Sequence, residues 1–530
     1  MNAPLTRQVK KTPPAGYDVA TVKPPPPEAA EQYFRTDHLK TNLGGRTARG
    51  GAVAMVSQGL KFLITIAATS IMARLLTPAD YGLIGMVAFV TGFVSMYKDL
   101  GLSTATIQKE EISPGQISNL FWVNIVLSLG ITVLTAAIAP LVAWFYGEPK
   151  LTAITIVTAM GFIISGLAVQ HEALLRRQIR YFALASISLA SMVTGYAVGI
   201  LMAWRGFSYW ALVGSQLAVA TMTTLLTVIF CRWTPGLPKR DTGVRSMIRF
   251  GGNLTGFTTI NYFSRNLDNL LIGRVWGAQQ LGLYTRAYQL MSLPIDQINE
   301  PISSVAVPSL SRLTDSPESY RRAYLRMLEK IALLTMPCIV LMIATSDWII
   351  RIVLGPQWTG TTKIFVLLGI TGLFQPIANT TGWLFISQGR SNDMLKWGFI
   401  SGPLNMGAIV VGLPWGAVGV AASYAFTRVF VIDPILYWFV GRRGPVRTSD
   451  IYKTIAPFVL ASLTALLAAL AFRRWSGVDA GVWIILICGI IIAATTFLIL
   501  AILPAGRKAL YDVKSSSLLL FSRGRAPVQS

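Results

Sequence analysis

Apolar residues along this chain form long runs interrupted by short polar segments, and the runs recur from residue 51 to residue 503. Most runs reach the roughly 20 residues that a helix needs to cross a bilayer. The pattern predicts helices over residues 51–75, 82–106, 117–146, 151–174, 181–204, 208–231, 248–274, 279–310, 319–346, 360–387, 392–412, 415–440, 452–472 and 480–503. We therefore expect an all-α integral membrane protein with about 14 transmembrane helices.

Two stretches that lie 200 residues apart share the same layout of polar positions. The first carries Gly51, Lys61, Thr65, Thr69, Arg74, Gly82 and Leu83, and the second carries Gly251, Asn261, Arg265, Asn269, Arg274, Gly282 and Leu283. In each, an apolar helix with a polar stripe ends at an Arg, and the chain restarts at Gly-Leu. Duplicated membrane halves are typical of transporters with a central site. The sequence thus predicts two pseudo-symmetric six-helix lobes around a central cavity, followed by a C-terminal helix pair.

The prolines and the cations divide the chain further, because Pro235 and Pro238 break the helical pattern between the two halves. We expect a disordered Pro-rich cytoplasmic arm at 1–49, a first lobe at 50–233, a cytoplasmic linker at 234–247, a second lobe at 248–440, a helix pair at 441–503 and a basic cytoplasmic tail at 504–530.

Charged residues make up 13% of the chain and hydrophobic residues 53%, whereas soluble domains carry about 25% charged residues. The net charge of +23 lies largely in short loops between apolar helices, which argues against nucleic acid as a partner. Loops on one side hold more than twice as many Lys and Arg residues as loops on the other. The positive-inside rule then places both termini in the cytoplasm and makes the two halves parallel repeats.

The chemistry of metals, cofactors and catalysis has little support in the sequence. Cys231, Cys338 and Cys488 lie in apolar runs without metal-ligand spacing, and His38 and His171 are too few and too far apart for a metal site. The loops on the outer side are short and show no acid–base constellation. We therefore predict a protein that is not an enzyme and has no metal or cofactor.

Polar residues inside predicted membrane helices are the candidate site, because a charge near the bilayer centre costs about 2.5–3.5 kcal/mol on insertion scales. Ser57, Lys61, Thr65 and Thr69 recur every fourth residue, and Asn261, Arg265, Asp268 and Asn269 form a matching stripe. These stripes are expected to meet at the central cavity. Two alternatives stay open: Lys61 reaches the membrane surface, and Arg265 only pairs with Asp268.

Two further helices add candidates. Helix 279–310 carries Arg286 and three prolines at intervals of seven, which predict a bent helix that lines the cavity. Helix 415–440 carries Arg428 and Asp433, which we expect not to face each other, because positions five apart lie on different faces of an α-helix.

Several segments resemble those of bacterial polysaccharide-transporter flippases, the Wzx-like members of the multidrug/oligosaccharidyl-lipid/polysaccharide exporter superfamily. They are ARLLTPADYGLIGM (73–86), KDLGLSTATIQK (98–109), LIGRVWGAQQLGLYTRAYQL (271–290), VPSLSRLTD (307–315) and LGPQW (354–358). The resemblance implies fourteen helices and transport of undecaprenyl-diphosphate-linked oligosaccharide across the bacterial inner membrane through a cationic cavity. The substrate-binding candidates are Lys61, Thr65, Asn261, Arg265, Asp268, Asn269, Arg286 and Arg428, chosen by residue type and depth.

The expected partners are the lipid-linked oligosaccharide, bilayer lipids, and a polymerase and chain-length regulator of the same pathway. Two other functions remain open. A cation-coupled multidrug-type exporter would show buried carboxylates without matched cavity cations, and a membrane polymerase or ligase of lipid-linked glycans would carry a sizeable catalytic loop outside.

Overall fold

The computed structural model describes residues 43–99, 101–109, 112–238, 244–476, 481–503, 506–507 and 511, without the side chains of residues 43–54, 105, 108, 244–261, 263–265 and 300. The first lobe consists of α1 (Leu43–Leu75), α2 (Pro78–Ser95), α3 (Leu102–Gln108), α4 (Pro114–Tyr146), α5 (Lys150–Gly166), α6 (Val169–Arg177), α7 (Tyr181–Trp204) and α8 (Trp210–Cys231). Most of the expected arm at 1–49 lies outside the described residues, as do 239–243 of the linker and most of the tail.

The second lobe follows in the chain. It consists of α9 (Val244–Ser311), α10 (Pro317–Ala344), α11 (Ser346–Val353), a 3₁₀ turn (Pro356–Trp358), α12 (Thr361–Ser387), α13 (Ser391–Gly412), a second 3₁₀ turn (Leu413–Trp415), α14 (Gly416–Thr427), a π-turn (Arg428–Ile432) and α15 (Asp433–Gly441). The C-terminal pair, α16 (Thr448–Ser476) and α17 (Val482–Ile502), packs on α10.

Helix α9 holds two of the expected spans. Its backbone leaves helical geometry at Gly277, where φ is 76° and ψ is −176°. The Tyr284 hydroxyl beyond this break donates to Asp268 Oδ2 before it, at 2.9 Å, so the two halves fold back on each other. The break separates the predicted helices 248–274 and 279–310.

The predicted fold class, an all-α integral membrane protein, is confirmed. In the described part of the chain, ten helices are long and apolar enough to cross a membrane, and α5 with α6 forms a further pair bent by 43°. One of the ten is the stretch Ser391–Gly441, which α13, α14 and α15 form together with the turns between them, and it contains two of the expected spans. None of the ten lies in α9, which contains the expected spans 248–274 and 279–310 and whose side chains at 244–261 and 263–265 are outside the described set.

The prediction of one helix over 82–106 was wrong at its start and in its middle. Helix α2 begins at Pro78 because Thr77 and Asp80 form a capping box: Thr77 accepts from the Asp80 N–H, and Asp80 accepts from the Thr77 N–H at 2.9 Å. It ends at Ser95, and Gly101 in the left-handed region (φ 70°) separates it from α3.

The two lobes meet where α2 crosses the second half of α9. A Cβ atom on Gly82 would lie 1.7 Å from the Ala278 carbonyl oxygen, and one on Gly282 would lie 1.8 Å from the Pro78 carbonyl oxygen. Pro78 and Ala278 are themselves equivalent in the 200-residue repeat, so each half makes the same contact with the other. A pseudo-two-fold axis therefore passes between the glycines. We call the end of the bundle that holds residues 73–83, 274–286 and 352–358 the crossing end.

Substitution of Gly82 by Ala is expected to destabilise the protein, because the added methyl group overlaps backbone atoms that cannot move aside. Overpacking of this kind costs roughly 1–3 kcal/mol. The matched control is Gly59→Ala in α1, where a Cβ would meet no heavy atom within 4 Å. Thermal unfolding in detergent should show a lower midpoint for Gly82→Ala and an unchanged or higher one for Gly59→Ala. Equal midpoints would contradict the close crossing.

Candidate functional site

Arg286 is a cation at the contact between the two lobes. Its Cζ atom lies 3.8 Å from the centre of the Tyr81 ring in the first lobe, and its Nη1 donates to Gln289 Oε1 at 2.6 Å. Within the described part of the chain, no carboxylate forms an ion pair with it. Stacking on an aromatic ring occupies the face of a guanidinium and leaves its N–H edge for an anion. The arrangement is suited to holding phosphate oxygens.

The depth of Arg286 follows from the geometry of its helix. It lies nine residues beyond the break at Gly277, which at 1.5 Å per residue is about 14 Å along the helix from that break. The three prolines that follow, Pro294, Pro301 and Pro308, all lie inside this half of α9. The side chain is therefore well inside the bundle, and a charge at that depth requires a polar or aromatic neighbour.

Lys61 and Thr65 lie on α1, and among the described residues no hydrogen bond or ion pair joins either of them to Arg286. Thr65 Oγ1 lies 3.9 Å from Met192 Sδ, so this hydroxyl faces α7 of its own lobe. Lys61 is partly buried, and none of the ion pairs in the described residues involves it. Its charge is thus not neutralised within that part of the protein.

The second stripe is described only in part. Asp268 is held by the Tyr284 hydroxyl and by the N–H of Asn269, which donates to Oδ1 at 2.8 Å. The side chains of Asn261 and Arg265 lie outside the described residues, although their backbone belongs to α9. The alternative that Arg265 only pairs with Asp268 also lies outside the described residues. The expectation that the stripes of α1 and α9 meet at a central cavity stays a prediction.

Arg428 and Asp433 do face each other, so the expectation from their spacing was wrong. Arg428 Nε lies 3.1 Å from Asp433 Oδ1, and the exposed fractions of the two side chains are 17% and 3%. The reason is the π-turn between them, in which the Asp433 N–H donates to the Arg428 carbonyl and positions five apart align. Neither Asp433 oxygen has a hydrogen bond of good geometry, so the contact is mainly electrostatic. Arg428 is committed to a charge pair inside the second lobe.

The segment KDLGLSTATIQK (98–109) is held by a chain of buried hydrogen bonds that its composition alone did not reveal. Lys98 Nζ donates to Ser165 Oγ at 3.0 Å, Gln170 Nε2 donates to Asn124 Oδ1 at 2.8 Å, and Thr106 Oγ1 donates to Gln170 Oε1 at 2.9 Å. Burial lowers the pKa of the Lys98 ammonium. These bonds fix α3 against α4 and α6, which is a structural role.

The segment LGPQW (354–358) joins the second lobe to the end of α1. Gln357 Nε2 and Trp358 Nε1 donate to the Ala73 carbonyl at 2.7 and 2.8 Å, and Arg74 Nη2 donates to the Ile352 carbonyl at 2.7 Å. We call Ala73, Arg74, Ile352, Gln357 and Trp358 the latch. No pattern in the sequence signals these contacts, because they link segments more than 270 residues apart.

Metal chemistry finds no support in the described residues, where no group of three or more His, Cys, Asp or Glu side chains could hold a metal ion. Cys231 and Cys488 are buried and Cys338 is partly buried. The candidate site that the described residues form at the lobe contact consists of the Arg286 guanidinium and the Tyr81 ring.

Known proteins resemble this chain in both sequence and fold. A profile of the polysaccharide biosynthesis protein family matches residues 71–363. The chain is 27% identical to the teichuronic acid biosynthesis protein TuaB of Bacillus subtilis (strain 168), over 72% of this chain and 78% of TuaB. It is 25% identical to the lipopolysaccharide biosynthesis protein WzxC of Escherichia coli (strain K12), over 76% of this chain and 80% of WzxC.

Solved structures share the fold at low sequence identity. The lipid II flippase MurJ in an inward closed conformation superposes with a TM-score of 0.69 at 13% identity, covering 84% of this chain and 97% of MurJ. An inward-facing multidrug resistance MATE family transporter of the MOP superfamily superposes with a TM-score of 0.56 at 16% identity. The superposition covers 74% of this chain and 95% of that transporter. These similarities establish the two-lobe, all-helical membrane fold.

The Arg428–Asp433 pair yields a prediction about stability. Asp433→Asn leaves a buried guanidinium without its counter-charge, which typically costs about 3–5 kcal/mol. The double change Arg428→Met with Asp433→Asn removes both charges and should recover most of the lost thermal stability in detergent. If Asp433→Asn unfolds at the same temperature as the unmodified protein, the pair does not stabilise the lobe.

Proposed function

Because the chain belongs to the polysaccharide biosynthesis protein family, we propose that it is a flippase for undecaprenyl-diphosphate-linked oligosaccharide repeat units. It carries them from the cytoplasmic to the outer leaflet of the bacterial inner membrane, where exopolysaccharide, capsule or O-antigen is assembled. The observation that carries the proposal is Arg286, a guanidinium between the lobes with no carboxylate partner among the described residues. The names of TuaB, WzxC and MurJ, which concern teichuronic acid, lipopolysaccharide and lipid II, support this substrate class.

The diphosphate is the part of this substrate that needs a protein, because concentrated negative charge does not enter hydrocarbon unaided. The N–H groups of Arg286 that do not donate to Gln289 bind two phosphate oxygens at once, and Tyr81 holds the guanidinium plane in position. Lys61 and Arg265, nearer the bilayer centre on their helices, take over the charge during crossing. Asn261 and Asn269 bond sugar hydroxyls, whereas Thr65, whose hydroxyl faces Met192, is not assigned this role.

The polyprenyl tail stays in the bilayer, on the side where the lobes are not packed together. Helix α2 packs closely on α9, and the Tyr262 hydroxyl of α9 donates to the Phe89 carbonyl of α2 at 2.8 Å. Tyr262 lies in the first half of α9, and the 200-residue repeat relates this pair of helices to α1 and the second half of α9. That second pair shows no comparable packing in the described residues. The asymmetry supports a lateral opening beside α1, with alternating access by rocking of the lobes.

A cation-coupled multidrug-type exporter is the second candidate, which the buried carboxylates Asp268 and Asp433 favour. Both carboxylates are engaged, by Tyr284 and by Arg428. Arg286 at the lobe contact would repel a cationic drug, so an anionic substrate fits better. An enzyme of lipid-linked glycans is less favoured, because the connections at the crossing end are short, such as residues 147–149 and 205–209. A polymerase and a chain-length regulator remain the proposed pathway partners.

The proposed orientation places the crossing end outside and both termini in the cytoplasm, from the distribution of Lys and Arg. Reporter fusions after Arg240 and Arg443 should read cytoplasmic, and a fusion after Lys150 should read external. An external reading after Arg240 would reverse the orientation of the second lobe and exclude parallel repeats.

Arg286→Ala is expected to lower surface polymer about 10- to 100-fold, since a hydrogen bond to a charged group contributes about 1.5–3 kcal/mol. Arg286→Lys should keep part of the export, because the charge remains while the bidentate edge is lost. The matched control is Arg274→Ala, an exposed Arg at the same end whose Cζ lies 5.7 Å from the Phe145 ring. Polymer is measured at equal amounts of membrane protein. Unchanged polymer from Arg286→Ala would exclude this Arg as the anion site.

A further inference from the structure

The latch and the anion site are physically continuous. Arg286 stacks on Tyr81 at 3.8 Å, and the Tyr81 ring packs edge-on against Trp358 with centroids 5.4 Å apart. The Trp358 indole N–H in turn donates to the Ala73 carbonyl of α1. A row of three side chains thus leads from the guanidinium to the backbone of the opposite lobe, with alternate members from the two lobes.

The Ala73 carbonyl accepts two of the three latch hydrogen bonds. It lies in the last turn of α1, where carbonyl groups lack partners within the helix. Gln357 and Trp358 supply those missing donors from the other lobe, and Ala73 and Trp358 are fully buried. Gly355 allows the loop its shape, because its φ of 106° lies where residues with a side chain are strained. The second lobe therefore caps the first helix of the first lobe.

Every latch bond joins the two lobes at the crossing end, so opening of that end must break all three. Tyr81 lies between the latch and Arg286 and is itself buried, with 4% of its surface exposed. It cannot move away from Arg286 without also moving against Trp358, because cores as tightly packed as this one do not deform continuously. The state of the guanidinium is therefore transmitted to the latch.

We propose that an anionic diphosphate at Arg286 opens the latch through Tyr81. The phosphate oxygens draw the guanidinium off the Tyr81 ring, Tyr81 shifts, Trp358 loses its packing partner, and the hydrogen bonds to Ala73 break. Tyr81 and Trp358 are positioning residues in this account. The crossing end then opens only for a loaded protein, which prevents an empty passage across the membrane. The inference rests on the proposed function, because it requires a diphosphate ligand at Arg286.

A cysteine at the latch reports its opening. In a background where Cys231, Cys338 and Cys488 are replaced by Ala, Leu354→Cys places a thiol at a position that is 1% exposed between Ile352 and Gln357. The protein is put in lipid nanodiscs, and the rate of reaction with a bulky polar maleimide is measured. Undecaprenyl diphosphate should raise this rate at least fivefold, and undecaprenol should not. Thr359→Cys, which is exposed in the same loop, should react at one rate throughout.

Two sets of variants test separately the hydrogen bonds of the latch and the response of the latch to the ligand. Trp358→Phe removes the indole donor but keeps a ring, and should raise the reaction rate of Leu354→Cys without ligand. Trp383→Phe removes a buried indole donor to Ser303 within the second lobe, and should leave the rate unchanged. Tyr81→Leu should abolish the rise in reaction rate on addition of undecaprenyl diphosphate, whereas Tyr81→Phe, which keeps the ring, should retain it.

Binding of radiolabelled undecaprenyl diphosphate is measured on the same nanodiscs. Binding with faster reaction of Leu354→Cys supports the inference. Binding without any change in rate overturns the coupling and leaves the proposed function intact. Absence of binding overturns both.

Discussion

The approach of α2 to α9 at Gly82 and Gly282 leaves no room for a side chain, and the rest of the interface follows from it. Small residues let two helix backbones come together inside a membrane, where lipid provides no hydrophobic force between helices. Arg286 lies one helical turn beyond Gly282, and Tyr81 is the residue before Gly82. The crossing that the glycines permit therefore places the guanidinium on the ring. An anion site between lobes is a consequence of that geometry.

Much of this fold could be predicted from the sequence, because a repeated pattern carries long-range information. The 200-residue shift pairs Gly82 with Gly282, and the structure shows that the paired positions touch each other across the axis. The all-α membrane fold and the family resemblance are confirmed, the latter by the match over residues 71–363. Helix ends were less accurate, since caps such as Thr77 with Asp80 act locally and override the apolar pattern.

The candidate site was predicted only in outline. Arg286 was named for its type and depth, but its contact with Tyr81 joins different lobes and has no signature in either segment. The Arg428–Asp433 pair was missed because a π-turn changes which positions share a face. The latch was missed because a carbonyl such as that of Ala73 is invisible in a sequence. Asn261 and Arg265, whose side chains are outside the described residues, are candidates from the sequence pattern of the stripe.

The most direct test of the account is transport by the purified protein in liposomes. Undecaprenyl-diphosphate-linked oligosaccharide with a fluorescent sugar is placed in both leaflets, and a membrane-impermeant reductant quenches the outer leaflet. The account predicts that the protein lets quenching proceed past one half, and that an undecaprenyl-linked sugar without the diphosphate stays protected in the inner leaflet. Quenching that stops at one half for the diphosphate substrate, or that proceeds equally for both lipids, would contradict a diphosphate-selective flippase.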